Sequence, residues 1–406
     1  MAVTIEHCVL VKQGEVFLKG ENRSTFIRRL RRNIVAALPA ESGPVRIQQR
    51  GGMFVLFPTH GSPQLAHRMT EVPGINVVDP ARRTQRTPQA FLEAALDQLR
   101  AQFGTDLKCR SRAYAVIARR RDKTFEQSSD ELNRYLGAEI KRATGWPVNL
   151  SRPEVTIRVD VNFGDAFVSV QRLRGLGGLP VGSSGRAIVL LSGGFDSPVA
   201  ALRIMKRGMD CDFVHFSGAP YTDPSSTYKA YALVRQLSRY QPRTRLWVAQ
   251  LGSAQRTLAS ASAPGLRTVA QRRLMLRIAE ELAGRSKADA LVTGDSLGQV
   301  ASQTINNLHA VDDAVQRPVL RPLIGWDKEE IIAEARRIGT AEISMLPDQD
   351  CCTMLAPPRP ATSSDAATLQ KVEARAGIEE LVAGTVSNLQ EYSFTAGESA
   401  QLPRQA

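Results

Sequence analysis

The run Ser192-Gly193-Gly194-Phe195-Asp196-Ser197 directly follows the apolar segment 187–191 and directly precedes Pro198. A strand that turns through adjacent glycines into a helix presents backbone N–H groups at the positive end of the helix dipole, a site for phosphate oxygens. Pro198 suits the first helical turn, where the N–H it lacks would have no partner. The spacing is neither GxxxxGK[ST] nor GxGxxG, which excludes a Walker loop and a dinucleotide fingerprint. A turn without a ligand is the competing reading of the same six residues. Nucleophilic chemistry has its own candidates in Cys351 and Cys352, adjacent in a loop-like stretch, because a cysteine thiolate is a strong nucleophile. Two small buried residues would also account for that pair.

These residues need a scaffold that repeatedly turns strands into helices. From residue 187 onward the apolar runs AIVLL, CDFVHF, RLWVAQ and ALVTG alternate with helical patterns, which predicts a doubly wound α/β domain with a parallel sheet over 186–360. Residues 361–406 are expected as a tail with a helix-like piece at 365–376. The chain before residue 187 has another character. Residues 7–18 read as two short strands about a glycine, 22–37 as a basic amphipathic helix, and 45–49 and 53–58 as strands, an α+β unit over 1–60. Segments 88–103, 113–117 and 124–144, followed by alternating strands at 155–161 and 166–170, read as a second α+β unit over 61–172. The Gly-rich run 173–185 is read as a linker.

At 406 residues the chain suits roughly two to four domains. A content of 43% hydrophobic and 23% charged residues is globular, which excludes a fibrous repeat and a chain disordered throughout. No stretch approaches the ~20 apolar residues of a spanning helix, and MAVTIEHCVLVKQGEV lacks the order of a signal peptide. No membrane association is expected, and a cytoplasmic location is. Cys8, Cys109, Cys211, Cys351 and Cys352 contain no CxxC, and the five histidines form no HxH or HxxxH pair. Neither a disulfide framework nor a transition-metal site is expected.

The net charge of +13 is concentrated before residue 180. Arg28, Arg29, Arg31 and Arg32 form one cluster, Arg82, Arg83 and Arg86 another, and Arg119, Arg120, Arg121 and Lys123 a third. Such clusters suit a phosphate backbone, since each cation contacting nucleic acid releases condensed counterions. A solvated basic face explains any single cluster as well. Their concentration in one half of the chain favours RNA or DNA.

SGGFDS resembles the PP-loop, SGGxDS, of the ATP pyrophosphatases, which split ATP between its α and β phosphates. In such a site Ser192, Gly193, Gly194 and Ser197 hold the leaving pyrophosphate, and Asp196 positions Mg²⁺ or polarises the reacting groups. Between residues 8 and 360 the chain is similar to the ThiI family, the tRNA 4-thiouridine synthases. The likeness is carried by LVKQGEVFLKGENR (10–23), GLGGLPVG (175–182), LLSGGFDSPVA (190–200), LVTGDSLGQVASQTINNL (291–308), RPLIGWDKEEII (321–332) and IGTAEISMLPDQDCC (338–352). It implies a ferredoxin-like domain, a THUMP domain that docks tRNA, and an ATP pyrophosphatase domain, the order in which the charge is divided. The implied reaction adenylates the C4 oxygen of uridine 8 in tRNA and replaces that oxygen with sulfur. The detour is needed because a carbonyl oxygen leaves poorly and AMP leaves well.

The resemblance places nucleotide contacts on Leu190, Leu191, His215, Phe216, Arg272, Gly294 and Gln303. Ligands collect at the carboxyl edge of a doubly wound sheet, so Leu190, Leu191, His215 and Phe216 are expected to frame adenine. Arg272 is expected to neutralise phosphate, and Gly294 to admit the nucleotide close to the backbone. Taken alone, His215 in an apolar strand reads as a buried structural histidine. Lys328 matches a lysine of the family's ATP site; a surface charge at a helix start is the alternative. Family members with a C-terminal rhodanese domain use a cysteine at the place of Cys351 or Cys352, and spacing from Gly339 favours Cys351.

This chain reaches only Ala406, which implies a rhodanese-less form fed with persulfide by a separate cysteine desulfurase. The family's link to thiamine biosynthesis, which runs through that domain, is correspondingly weakened, and a homodimer is left open. Two other readings compete. A PP-loop ligase or amidotransferase acting on a small molecule would leave the basic half unexplained. An RNA-binding module with a decayed ATP site is opposed by the intact SGGFDS.

Overall fold

The computed structural model describes residues 3–15, 22–59, 63–109, 111–349, 351 and 357–396. They fall into two compact units, Met1–Ile27 with Ala37–Gly178, and Arg28–Ala36 with Leu179–Ala406.

In the first unit the elements follow one another as β1 (Glu6–Gln13), α1 (Arg23–Ala36), β2 (Val45–Arg50), β3 (Met53–Pro58), α2 (Pro63–Thr70), β4 (Ile75–Thr84), α3 (Pro88–Phe103), β5 (Tyr114–Arg120), α4 (Ser129–Thr144), β6 (Val155–Val161), β7 (Ala166–Ser169) and β8 (Leu173–Arg174). The second half of α1, from Arg28, groups with the other unit. Of the strand pair expected over 7–18, the first member is β1; the end of the second lies outside the described residues. The expected ferredoxin-like and THUMP segments share one sheet of order β2-β3-β1-β4-β7-β6-β5, with β8 also on β4. The long strand β4 makes this possible, pairing with β1 and with β7 at its two edges. The helix expected from 124 starts only at Ser129, where Ser128 and Glu131 close a capping box and so satisfy two first-turn donors. Helices α3 and α4 cover β5 and β6 through Phe91, Leu99, Leu132, Leu136 and Ile157.

The second unit continues with β9 (Arg186–Leu191), α5 (Asp196–Lys206), β10 (Asp210–Ser217), α6 (Ser225–Leu237), β11 (Arg243–Gln250), α7 (Gly252–Ala261), α8 (Arg267–Ser286), β12 (Ala290–Val292), α9 (Ile305–Asp312), β13 (Val319–Leu320), α10 (Lys328–Arg337), α11 (Ala341–Ser344), α12 (Ala366–Ala376), α13 (Ile378–Ser387) and β14 (Gln390–Thr395). Its sheet has the order β13-β12-β9-β10-β11-β14. Ala187, Ile188 and Val189 of β9 are fully buried, as strands covered on both faces must be, and hence read as an unbroken apolar run. From β9 the chain moves to β10 and β11, then crosses back to lay β12 on the other side of β9. Strand order therefore reverses between β9 and β12, and in such sheets ligands bind outside the carboxyl ends at that reversal.

The Gly-rich run is divided rather than free. Gly177 N donates to Ile75 O at 2.7 Å in the first unit, and Leu179 N to Lys206 O at 3.0 Å in the second. The segment expected as a tail also folds. Strand β14 adds antiparallel to β11, and Leu369, Val372, Val382 and Val386 enter the core with Ile188 and Leu274. The helix-like piece expected at 365–376 is α12, while an Ala- and Ser-rich composition conceals α13 and β14. Among the described residues no helix is long and apolar enough to cross a membrane.

An ionic tie joins this segment to the core as well. Arg273, fully buried on α8, donates to both carboxylate oxygens of Glu373 at 2.6 and 3.1 Å, and Arg277 adds a third bond at 2.9 Å. Burial alone would push the Glu373 carboxyl up; Arg273 and Arg277 outweigh it and hold the pKa below its ordinary 4.5. A depressed folded-state pKa adds stability that is complete above the ordinary value and vanishes as pH falls through the folded one. Glu373→Gln, which leaves a buried guanidinium short of its counter-charge, is expected to lower unfolding free energy by about 3–5 kcal/mol at pH 7. In urea titrations the gap from wild type should narrow as the pH is lowered past 4.5.

Candidate active site

The turn after β9 is locked by its own serines. Ser192 N donates to Ser197 Oγ at 3.0 Å, and the two hydroxyls lie 3.1 Å apart. Gly194 is exposed, and a Cβ there would meet little beyond Ser192 Oγ at 3.6 Å. Helix α5 begins at Asp196, so its first N–H groups open at the end of β9, as the sequence predicts. Gly294, just past β12, explains itself differently from expectation. A Cβ there would lie 2.7 Å from Ser197 N and 2.9 Å from the Asp196 carbonyl carbon. Glycine is required for the backbone to pass the start of α5, whatever the nucleotide does.

Beside this turn lies a cavity of about 400 Å³ at the strand-order reversal. Leu190, Ser192, Asp196, Ser197, Arg272, Gly294 and Gln303, all named by the sequence reading, line it. Leu191, Gly193, Gly194, His215 and Phe216 are not among the lining residues; Leu191, His215 and Phe216 are buried at the ends of β9 and β10, and the two glycines belong to the turn beside the cavity. His215 Nδ1 lies 3.0 Å from the Leu191 carbonyl and Nε2 3.3 Å from Ser226 Oγ. A carbonyl only accepts, so Nδ1 carries the proton, and the imidazole fixes the carboxyl end of β9 from behind.

Lys328, at the start of α10, reaches Asp196: Nζ lies 2.6 Å from Oδ1, while Gln299 Nε2 donates to Oδ2 at 3.0 Å. These residues are 132 and 103 positions away in sequence. Asp327 and Glu330 form a capping box that fixes the helix start from which Lys328 extends.

Arg272 does not stand ready as a lone phosphate cation. Its Nη2 donates to Asp295 Oδ1 at 2.5 Å and its Nη1 to the Ser302 carbonyl at 3.0 Å. Asp295, which the sequence reading did not single out, also accepts from Arg321 Nε at 3.0 Å, Thr293 Oγ1 at 2.7 Å and Gln303 Nε2 at 3.2 Å. Burial would push its carboxyl up, but Arg272, Thr293 and Arg321 together hold it below the ordinary carboxylate value. Gln303 Oε1 is left as a buried acceptor with no partner.

Cys351 is 1% exposed. Its carbonyl accepts from Gln255 Nε2 at 2.9 Å, and Gln271 Nε2 approaches Sγ at 3.9 Å. Gln271 also lines the cavity, so the thiol sits one residue behind the wall. Cys352 lies outside the described residues. Among the described residues no three metal-type ligands gather, and Asp196 is the one carboxylate on the cavity wall.

The basic clusters fare unequally. Arg82, Arg83 and Arg86 are consumed internally by Asp97, Asp165 and Asp122 at 2.6, 2.6 and 2.5 Å. Arg119, Arg121 and Lys123 are exposed at the end of β5, with Arg120 half-buried. Arg120 and Arg121 donate to the carbonyls of Phe125 and Gly51, neutral acceptors that leave their charge uncancelled. Arg28, Arg31 and Arg32 are exposed on α1 and Arg29 is half-buried. Arg29 and Arg32 line a larger cavity, about 1000 Å³, with Arg186, Arg243 and Arg245. That cavity lies at the strand starts, the edge opposite the glycine turn.

A model of the thiamine biosynthesis protein (ThiI) family matches residues 182–378, a ThiI ferredoxin-like domain matches 8–78, and a THUMP domain matches 86–171. A probable tRNA sulfurtransferase of Nocardia farcinica is 56% identical over 92% of this chain and 91% of its own length. One from Thermus thermophilus is 43% identical over 94% and 92%. The crystal structure of a 4-thiouridine synthetase–RNA complex with bound ATP matches with a TM-score of 0.88 at 31% identity, covering 96% of this chain and 99% of that one. Agreement of this extent, from the first strand to the last helices, means that the chain belongs to the ThiI family, the tRNA sulfurtransferases.

Proposed function

We propose that this tRNA sulfurtransferase binds ATP at the β9–α5 turn, adenylates the C4 oxygen of uridine 8, and replaces that oxygen with sulfur delivered as persulfide by a separate cysteine desulfurase. The observation that carries the reading is the cavity at the strand-order reversal. There the N-terminus of α5, two serine hydroxyls and Asp196, which Lys328 reaches from α10, converge. The full-length relative bound to RNA and ATP supports the same substrates.

In this reading the turn's N–H groups and the Ser192 and Ser197 hydroxyls hold the β and γ phosphates. Lys328 supplies a positive charge beside them. The uridine C4 oxygen attacks the α phosphorus, the bond to the β-phosphate oxygen breaks, and pyrophosphate leaves. The outer sulfur of the persulfide then attacks C4 and AMP departs with the original oxygen; a second thiol attacks the carrier sulfur, breaking the remaining S–S bond, so that sulfur stays on C4 and the two thiols end as a disulfide. Gln303 Oε1, lacking a donor, suits an amino group on the base of ATP. Arg272, neutralised by Asp295, shapes the wall more than it binds phosphate.

Mg²⁺ fits this wall with the phosphates as its other ligands, since it commonly takes only one or two protein carboxylates. Asp196 would hold it, and the ion would neutralise charge on the departing pyrophosphate. Sulfur carried on Cys351 requires the thiol to be uncovered first. Cys352 remains the alternative carrier.

Asp196→Asn is expected to reduce 4-thiouridine formation by about 10²–10³-fold while tRNA affinity stays within twofold. The readouts are AMP and pyrophosphate release, near-ultraviolet absorbance of the RNA, and filter binding. Release of ADP, or nucleotide consumption indifferent to RNA, would refute the mechanism. Replacing Arg28, Arg31 and Arg32 together with alanine should weaken tRNA binding and reduce its log–log salt slope by about 0.7–0.9 for each phosphate deprived of its cation. Mass spectrometry of single Cys351→Ser and Cys352→Ser variants during turnover locates the persulfide; its absence from both thiols would mean direct delivery by the donor.

A further inference from the structure

Beneath the glycine turn lies a lysine that the mechanism above does not use. Lys229, on α6, has a side chain only 5% exposed, and lysine is rarely buried so far without a partner. Its Nζ donates to Asp348 Oδ1 at 2.9 Å and to the Ser344 carbonyl at 3.1 Å. A Cβ on Gly193 would lie 2.6 Å from Asp348 Oδ2 and 2.7 Å from Lys229 Cδ. This ion pair is therefore the floor on which the turn rests, and it is why residue 193 has no side chain.

The same pair fixes the segment leading to Cys351. Ser344 Oγ donates to the Gly194 carbonyl at 3.1 Å. Gln349 N donates to Ser225 Oγ at 3.1 Å, and Asp223 N to Gln349 Oε1 at 3.2 Å. Residues 344–349 are thus strapped to the turn on one side and to the start of α6 on the other. Cys351 follows two residues later, covered by Gln271 and Gln255.

We propose that Lys229 is a positioning residue whose ion pair with Asp348 couples phosphate at the turn to the covering of Cys351. The inference rests on the reading that ATP phosphates occupy the turn. A polyanion seated there acts across Gly193 on the Asp348 carboxylate and the Lys229 ammonium that lie against that residue. Phosphate competes for the ammonium and repels the carboxylate, which loosens Ser344, Asp348 and Gln349 and lets the Cys351 thiol leave its cover. Lys229 favours phosphate; Asp348 opposes it. The thiol is thereby kept closed until nucleotide is in place.

The test uses the full-length protein without tRNA, so that ATP is not consumed. ATP affinity is measured by calorimetry, and iodoacetamide labelling of Cys351 is followed by peptide mass spectrometry with and without Mg-ATP. In the wild type, ATP should speed Cys351 labelling by about fivefold or more, the low end of a coupling between two sites. Asp348→Asn preserves shape and an acceptor for Lys229. It should bind ATP about fivefold more tightly, by the reciprocity of coupled equilibria, and label at a rate indifferent to ATP. Lys229→Met should instead weaken ATP binding by about tenfold. A lesion of structure alone would weaken binding in both variants. Should Lys229→Met not fold, the gain of affinity in Asp348→Asn still decides. Weaker or unchanged ATP binding in Asp348→Asn, or wild-type labelling that ignores bound ATP, overturns the coupling and leaves the nucleotide site standing. Failure of the wild type to bind ATP would overturn both.

Discussion

The close approach of two backbones, at Gly294 and at the start of α5, sets the rest of the site. With 2.7 Å between a would-be Cβ and Ser197 N, the chain leaving β12 must run directly beside the first turn of α5. That passage delivers Asp295 to a place just behind the cavity wall, where its two oxygens gather Arg272, Arg321, Thr293 and Gln303. Low local dielectric makes such a network strong when every member is satisfied and costly when one is not. The one unsatisfied atom among these, Gln303 Oε1, belongs to a residue that lines the cavity. The wall is thus complete except where a ligand would complete it.

How much of the site is legible in the chain follows from the range of the interactions involved. The β9–α5 turn is legible because its signals are adjacent: an apolar run, paired glycines, a serine five residues on from its partner and a proline. The Lys328–Asp196 and Lys229–Asp348 pairs join residues more than a hundred positions apart, and no spacing rule reaches that far. Asp295 lies inside a stretch whose resemblance is plain, yet one carboxylate among forty acidic residues carries no mark of the guanidinium groups it will meet. Of the C-terminal elements the helix at 365–376 is legible, but the helix Ile378–Ser387 and β14 escape the sequence reading for another reason. The apolar residues are few and set among Ala, Ser and Thr, so composition suggests a tail. Ile378, Val382 and Val386, spaced for one helix face and buried, are the signal that could have found the second helix.

The arginines show why a charge total is a weaker guide than a charge map. Arg82, Arg83 and Arg86 look in sequence as suitable for RNA as any cluster, but each meets a carboxylate within its own unit. Arg273 is spent entirely on the core. An ion-paired guanidinium contributes little to a distant polyanion, because its field is cancelled within a few ångströms, well inside the ~8–10 Å screening length of physiological salt. A guanidinium bonded to a carbonyl keeps its full charge. Arg120 and Arg121 are held by carbonyls, an arrangement that fixes the side chain while leaving its field intact.

Burial of Cys351 has a chemical logic of its own. A persulfide or thiolate is a strong nucleophile and is readily oxidised, and both hazards rise with exposure. An adenylated uridine is equally open to water, which would waste the ATP already consumed. A sulfur carrier held behind the cavity wall, one glutamine away from it, meets neither problem until the wall moves. Ser344, at the head of the segment that leads to it, is bonded to the phosphate turn itself, so in the proposed coupling the moment of uncovering is set where the nucleotide binds. Placing the control there orders the two half-reactions in a way that proximity alone could not, because sulfur becomes reactive only after the oxygen it replaces can be activated.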